Sequence, residues 1–321
     1  MKYELNENTF FVKEVFSPKL IKLGLYNYYI VEKRNLSHKQ LLKRLPPDSL
    51  FCGMKDKNAT TTQWVCTKSD VEETSEENLK ITYKGESNEK IWIGKHKENS
   101  FTVLIELEKA ERIKLLGLKK ELVGNYFGEQ RFDKRVEKFY ELLEKKDYEN
   151  ALKYFLVEKS KFDSEKSTEI KKIISENWGN WKKIYENELI PEAKKELFTF
   201  LDTREDFCKA FDYVEQKSLK QMLKAIQAQR FNDILSELMI EKKCKGLRAT
   251  KALPRKLIIQ ATEFEKRFNL RKMERPTFFR SKSFKLKPEK EKNKYWICFS
   301  LPTGSYATIY LKFLKEQVEK I

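Results

Sequence analysis

Residues 51 to 64 read FCGMKDKNATTTQW and set one carboxylate, Asp56, between two ammonium groups, Lys55 and Lys57. Gly53 lies two residues before that triplet, and the hydroxyl-rich run Thr60, Thr61 and Thr62, followed by Gln63, lies just after it. A carboxylate flanked by cations is expected to stay ionised, because nearby positive charge lowers its pKa. The same lysines can receive a phosphodiester backbone. A charged carboxylate at a polyanion's docking point has the chemistry of a nucleophile or a base. Taken alone, the segment fits a solvated surface turn better, since exposed charge is common.

Two further segments change that balance. Residues 125 to 132 read Asn-Tyr-Phe-Gly-Glu-Gln-Arg-Phe, and residues 301 to 308 read Leu-Pro-Thr-Gly-Ser-Tyr-Ala-Thr. With Cys52-Gly53-Met54-Lys55-Asp56-Lys57, Ala59, Thr60 and Gln63 they resemble, in order, the three boxes of the TruD family, pseudouridine synthases that act on tRNA. A lone Lys-Asp-Lys would carry nothing; three ordered boxes spread over most of the chain are specific.

The composition agrees independently. Lys and Arg number 66 against 49 Asp and Glu, a net charge of +17 over 321 residues. Such an excess favours polyanionic partners, because each cation that neutralises a phosphate releases a counterion. A charge-dense surface of thermophilic type would explain the 36% charged content but not the imbalance. The first residues, MKYELNENTF, lack a continuous apolar core, and no window approaches a membrane span, so a cytoplasmic protein is expected. Cys52, Cys66, Cys208, Cys244 and Cys298 are scattered without a C-x-x-C pair, and His38 and His96 are the only histidines. Neither a zinc site nor structural disulfides are expected from that spacing. Cys66 and Cys298 read as small core residues. No phosphate-binding or dinucleotide-binding glycine loop occurs. The chemistry these residues allow is therefore free of metal and cofactor, and isomerisation meets that constraint.

Positioning Asp56 falls to the elements around it. Strands are predicted over residues 9–16, 23–32, 61–66, 90–94 and 101–108, with Phe51 starting the Lys-Asp-Lys segment and Asn99 and Ser100 at the mouth of the last strand. Ser37 reads as the N-cap of a helix over His38 to Arg44, stopped by Pro46-Pro47. The acidic run 70–78 reads as a surface connection, and a helix is predicted around 110–121. Beyond Asp133 the chain turns to helical periodicity through residue 245, broken at Trp178-Gly179-Asn180-Trp181 and at Pro191. Residues 219–241 form an amphipathic helix with Met222, Ile226, Phe231, Leu235, Leu238 and Met239 available to a core. Between Lys242 and Lys256 stand seven basic residues and no acidic one, the footprint of a phosphate-contacting surface. A strand from Lys294 and a helix over Ala307 to Lys320 close the chain.

The resemblance implies an α/β (α+β) fold of the pseudouridine synthase type, a mixed, largely antiparallel sheet flanked by helices. It places the catalytic domain at 1–133 plus 271–321 and a mainly helical inserted domain at 134–270. It implies a tRNA substrate, uridine 13 as the modified nucleotide, no cofactor, and Asp56 as the nucleophile. Phe10, Asn99, Phe101 and Tyr306 would contact the flipped base, and Lys55, Lys57, Gln63, Arg131, Lys242, Lys243 and Lys245 would support or hold the RNA backbone. No protein partner is predicted. Departures are Thr9 and Glu4 where acidic and basic residues are usual, Asp133 in place of glycine, and a short basic stretch where relatives carry a larger folded segment. The alternatives are a non-catalytic RNA-binding or RNA-folding protein, and an RNA hydrolase, which lacks a second acid or a metal constellation.

Overall fold

Alternation builds the sheet. In FFVKEV the odd positions Phe10, Val12 and Glu14 are buried and the even ones exposed, so the strand Phe10–Val15 presents one face to a core. The structure is a computed structural model that describes residues 1–118, 121–132, 135–159 and 163–319. Its contacts divide the chain into two units, Met1–Tyr126 with Leu235–Lys256 and Pro276–Ile321, and Phe127–Ile234 with Leu257–Arg275. The predicted break at residues 133 and 134, residues 119 and 120 of the helix around 110–121, and residue 320 lie outside the described residues.

In the first unit the sheet runs in the order Lys282–Pro288, Lys294–Pro302, Glu98–Glu106, Phe10–Val15, Thr60–Thr67, Tyr26–Arg34, Leu79–Ser87, Thr74–Ser75. The short strands Lys2–Tyr3 and Leu50–Phe51 add to Glu98–Glu106 and Thr60–Thr67. Phe10–Val15 pairs in parallel with Thr60–Thr67, and the other pairings are antiparallel. The fold is thus the mixed, largely antiparallel α/β sheet the boxes imply. Helix Ala307–Glu319 buries Ile309, Tyr310, Leu311, Phe313, Leu314 and Val318 in the core that also holds Phe101, Val103, Ile297 and Phe299. Ser37 caps helix His38–Leu42 through a capping box with Gln40, as its sequence predicts.

Several elements differ from the sequence reading. Residues 90–94 form no strand: Ile91 alone is buried, while Trp92 and Ile93 are 55% and 85% exposed. A strand that was not expected, Leu79–Ser87, pairs with the outer side of Tyr26–Arg34; its alternating Leu79 and Ile81 were masked by the acidic run before it. Asn99 and Ser100 lie inside Glu98–Glu106 rather than at its mouth. The strands Leu122–Gly124, Lys256–Ile259, Met273–Pro276, Phe278–Arg280 and Lys282–Pro288 carry too few alternating apolar residues to be read locally. Cys66 is fully buried, but Cys298 is half-buried.

The second unit is mainly helical. Helices Arg135–Glu144, Tyr148–Val157, Glu165–Glu176, Trp181–Tyr185 and Glu192–Arg204 and the first part of Gln216–Glu241 enclose a core containing Phe139, Trp181, Phe198, Phe211 and Leu223. Asn180 caps the helix after the predicted break at Trp178. No described helix is long and apolar enough to cross a membrane.

Candidate active site

Register places a polar seam across one face of the sheet. Glu14 stands opposite Asn99, Val12 opposite both Phe101 and Thr61, and Thr61 opposite Lys33, which itself stands opposite Leu79. Gln63 follows two residues after Thr61 on the same face, opposite Val31. Glu14, Lys33, Thr61 and Gln63 are all at least 97% buried. Buried ionisable groups are costly unless paired and hydrogen-bonded, so each needs a reason to be there.

Lys33 has one. Its ammonium donates to the carbonyl oxygens of Leu36 at 2.7 Å, Asp56 at 2.6 Å and Lys55 at 3.4 Å. A lysine one residue from the end of its own strand thereby fixes the backbone of the Lys-Asp-Lys loop. Desolvation pushes the Lys33 ammonium down to about 8, with the charge of Asp56 opposing that shift and Lys55 adding to it. Lys55 turns inward from the loop and meets Glu14 at 2.6 Å, both side chains at least 95% buried. The second oxygen of Glu14 accepts from the Trp64 N–H at 2.8 Å. Burial raises the Glu14 carboxyl above its ordinary value, with Lys55 and the Trp64 hydrogen bond pulling it back.

Asp56 itself is exposed, on a stretch without regular structure. The protein massed around its carboxyl nevertheless raises its pKa above the ordinary value, and Lys33 first and Lys55 second pull it back down. The sequence reading is corrected on two points. Desolvation outweighs the cations, and the more effective cation is Lys33 rather than the exposed neighbour Lys57. Lys33 and Glu14 were missed because neither stands near Asp56 in sequence; the signal available was Glu14 on the apolar phase of the predicted strand 9–16, and Lys33 in phase with Tyr29 and Val31 one residue beyond the predicted strand 23–32.

The far side of the seam meets the third box. Leu301 pairs with Asn99 and Pro302 with Glu98, and the Thr303 hydroxyl donates to the His96 carbonyl at 2.6 Å. His96 is buried beside Lys55; desolvation and that ammonium push its imidazole down to about 4, so it is neutral. Asn99 lies close enough to oppose this shift, yet neither ring nitrogen of His96 nor Oδ1 of Asn99 completes a hydrogen bond among the described residues. The Gln63 amide is likewise buried with no protein partner on either atom. Such groups each cost about 1–3 kcal/mol when left unmet. The fold also gathers Glu14, Cys52 and His96 within 4.8 Å, a grouping their sequence positions hide. The cation in their midst is the Lys55 ammonium, bound to Glu14 and placed 3.8 Å from where a Gly53 Cβ would stand, with His96 at 3.9 Å from the same point. Burial pushes the Cys52 thiol up to about 12.

Of the three rings implied to receive a base, Phe10 and Phe101 are 4% and 5% exposed and stack on each other at 6.1 Å, Phe101 also on Phe299 at 5.4 Å. Tyr306 is half-buried at the edge of that core. Beside the loop, Met54 is 77% exposed, and the Gly94 N–H donates to the Cys52 carbonyl, holding the exposed Trp92 and Ile93 nearby. Lys242, Lys243 and Lys245 belong to the sheet unit; Lys243 and Lys245 are exposed and Lys242 is bound to Glu241 at 2.6 Å. Arg131 is exposed and belongs to the helical unit. The second box straddles the division in the chain: the Asn125 amide donates to the Pro276 carbonyl in one unit, and Asn232 grips both backbone groups of Phe127 in the other.

Residues 4–266 match the family model of tRNA pseudouridine synthase D (TruD). The chain is 28% identical over 261 residues to a protein of Methanococcus maripaludis named "Probable tRNA pseudouridine synthase D 1", covering 75% of this chain and 67% of that one. It is 30% identical over 258 residues to "Probable tRNA pseudouridine synthase D 2" of Methanocaldococcus jannaschii, covering 74% and 61%. With tRNA pseudouridine synthase D of Aquifex aeolicus it shares 27% over 263 residues, covering 74% and 66%. The chain thus spans about two thirds of the length of these curated relatives. A crystal structure from Methanosarcina mazei that bears the TruD name superposes with a TM-score of 0.63 at 16% identity, over 99% of this chain and 92% of that one. That likeness is one of fold.

Proposed function

The chain belongs to the tRNA pseudouridine synthase D (TruD) family, and from that premise we propose that it converts a uridine of tRNA to pseudouridine with Asp56 as nucleophile. The observation that supports this reading is the Lys33 clamp: a buried ammonium donates to the Asp56 carbonyl oxygen and so holds the backbone of an exposed acidic residue whose carboxyl also feels the charges of Lys33 and Lys55. The reaction breaks the N1–C1′ bond of uridine, turns the uracil and joins C5 to C1′. The C5 proton leaves to solvent and N1 ends protonated, so no co-reactant is consumed. Both amide atoms of Gln63 and Oδ1 of Asn99, without a hydrogen-bond partner among the described residues, are of the donor and acceptor types that a uracil edge requires. A carboxylate raised by desolvation is also a better nucleophile than one stabilised by hydrogen bonds.

Uridine 13 is the target that family membership favours, and the cytoplasm the compartment. The same premise makes 134–270 the inserted part and 1–133 with 271–321 the catalytic part, with the RNA backbone held by Lys57, Arg131 and the 242–256 segment, while Lys55, buried against Glu14, supports the loop from within. Tritium release from tRNA labelled at C5 of uridine, followed by mapping of the modified position, tests the whole reading. Release that depends on Asp56 is the expected result. Tight tRNA binding without release from any uridine would overturn it in favour of an RNA-binding role.

A further inference from the structure

Lys220 and Lys224 stand one turn apart on the long helix Gln216–Glu241, in the part that belongs to the helical unit. Facing them is the loop that follows helix Glu263–Arg267. Asn269, at φ 60°, ends that helix in the left-handed conformation, with the Leu270 N–H donating to the Glu265 carbonyl and the Asn269 N–H to that of Lys266. Leu270 is thereby buried and the chain emerges at Arg271 and Lys272, both exposed. Gln227, itself 4% exposed, ties loop to helix by donating to the Arg271 carbonyl at 3.1 Å. Arg131 completes the wall of a cavity of about 390 Å³. Its floor includes Phe268, Leu270 and Met273, and no acidic residue lines it.

Elsewhere on this unit several surface lysines are matched with acids, as in Lys138 with Glu141, Lys172 with Glu176, Lys182 with Glu186 and Lys195 with Glu192. Among the described residues none of the five cavity cations forms an ion pair. Five unmatched cations held around one concavity repel each other, and an anion seated among them relieves that repulsion. The Gln227 tie keeps the walls in place before a ligand arrives, which lowers the ordering cost of binding. We propose that this cavity is a seat for RNA phosphodiester, with the phosphate among Lys220, Lys224, Arg271, Lys272 and Arg131 and the attached nucleoside over the apolar floor. The assignment rests on the tRNA reading above and locates a backbone contact outside the Asp56 region.

The test compares two variants with equal loss of charge: K220Q/K224Q/R271Q/K272Q in the cavity, and K138Q/K172Q/K182Q/K195Q on the matched surface. Affinity for labelled tRNA and for a short labelled oligouridylate is measured over a salt series, with tritium release by the unaltered protein alongside. Each lost phosphate contact lowers the salt slope by about 0.7–0.9. The cavity variant should lose about 2–3 in slope and about tenfold or more in affinity at low salt, and the surface variant almost none. If both variants bind alike while the unaltered protein releases tritium, the cavity assignment fails and the catalytic reading stands. Cavity-dependent binding without release has the reverse meaning. No binding to either RNA removes both.

Discussion

Lys33 and Lys55 in the sheet unit, and Lys220 and Lys224 in the helical unit, are the same side chain put to opposite uses. The first two are sunk to 1% and 9% exposure, one against three carbonyls and the other against Glu14. They position a loop and are unavailable to a polyanion. The second pair, Lys224 exposed and Lys220 half-buried, line an acid-free cavity. A count of basic residues treats all four alike, yet burial decides which hold the protein and which can hold a ligand. Around Asp56 the buried ones matter more.

The sharpest test of the positioning half is Asp56. Asp56→Ala or Asp56→Asn should lower tritium release by about 10⁴-fold or more, the scale of losing a nucleophile that acts within a unit, while tRNA affinity stays nearly unchanged. Stability should not fall. Because the folded-state pKa is raised, the folded protein binds more protons than the unfolded chain just above the ordinary carboxylate pKa. Stability therefore decreases as pH rises through that window, and ionised Asp56 is a net cost at neutral pH. A melting temperature that drops in Asp56→Asn would make Asp56 a structural residue. Equal loss of binding and turnover would sink the nucleophile assignment.

Breaking the Lys55–Glu14 pair should come next in size. Removing one partner strands a buried charge, so Lys55→Met or Glu14→Gln should lower the unfolding free energy by about 3–5 kcal/mol in urea titrations. The double variant Glu14→Leu/Lys55→Met should lose much less than the sum. Single losses under about 1 kcal/mol, the range of an exposed pair, would erase the contrast with surface lysines.

The sequence made part of this legible and hid the rest for physical reasons. Local signals were read directly: the strand at 9–16, the Ser37 cap, the helical run with its break at Trp178, and the box around Asp56. What depends on pairing was not. Lys33 reaches Asp56 because Tyr26–Arg34 lies beside Thr60–Thr67, and no window of either strand states that register. Leu79–Ser87 escaped notice because its exposed partner residues are charged, and residues 90–94 looked like a strand because Ile91, Trp92 and Ile93 are apolar in a turn. The flanking lysines suggested a lowered Asp56 pKa, whereas desolvation, a property of the folded surroundings, reverses the sign.

Lys33 gives a smaller effect with a distinctive pH signature. As its ammonium loses its proton near pH 8, the clamp on the Asp56 carbonyl loosens. kcat/KM should show an alkaline fall near that pH, and Lys33→Met should be about 10–100-fold slower with the fall absent, the scale of a misplaced reacting group. Stability should move the other way. The folded-state pKa of about 8 lies below the ordinary 10.5, so the unfolded chain binds more protons between those values and stability rises with pH there. Activity and stability falling together above pH 8 would show the loop unfolding instead.

The smallest expected effect concerns the other basic cluster. Lys242 is bound to Glu241 at 2.6 Å and Arg248 to Glu121 at 3.4 Å, so part of the 242–256 segment is already matched by acids. These are surface pairs, worth about 0–1 kcal/mol, and a phosphate can displace them at small cost. K242Q/K243Q/K245Q should therefore weaken tRNA binding only about threefold and lower the salt slope by about 1, chiefly through Lys243 and Lys245. The comparison with the cavity variant is the decisive reading, because both remove exposed cations and differ in whether acids already answer them. A loss equal to that of K220Q/K224Q/R271Q/K272Q would show that exposure alone, not freedom from acidic neighbours, selects the lysines that meet RNA. An unchanged slope would remove the 242–256 segment from the interface.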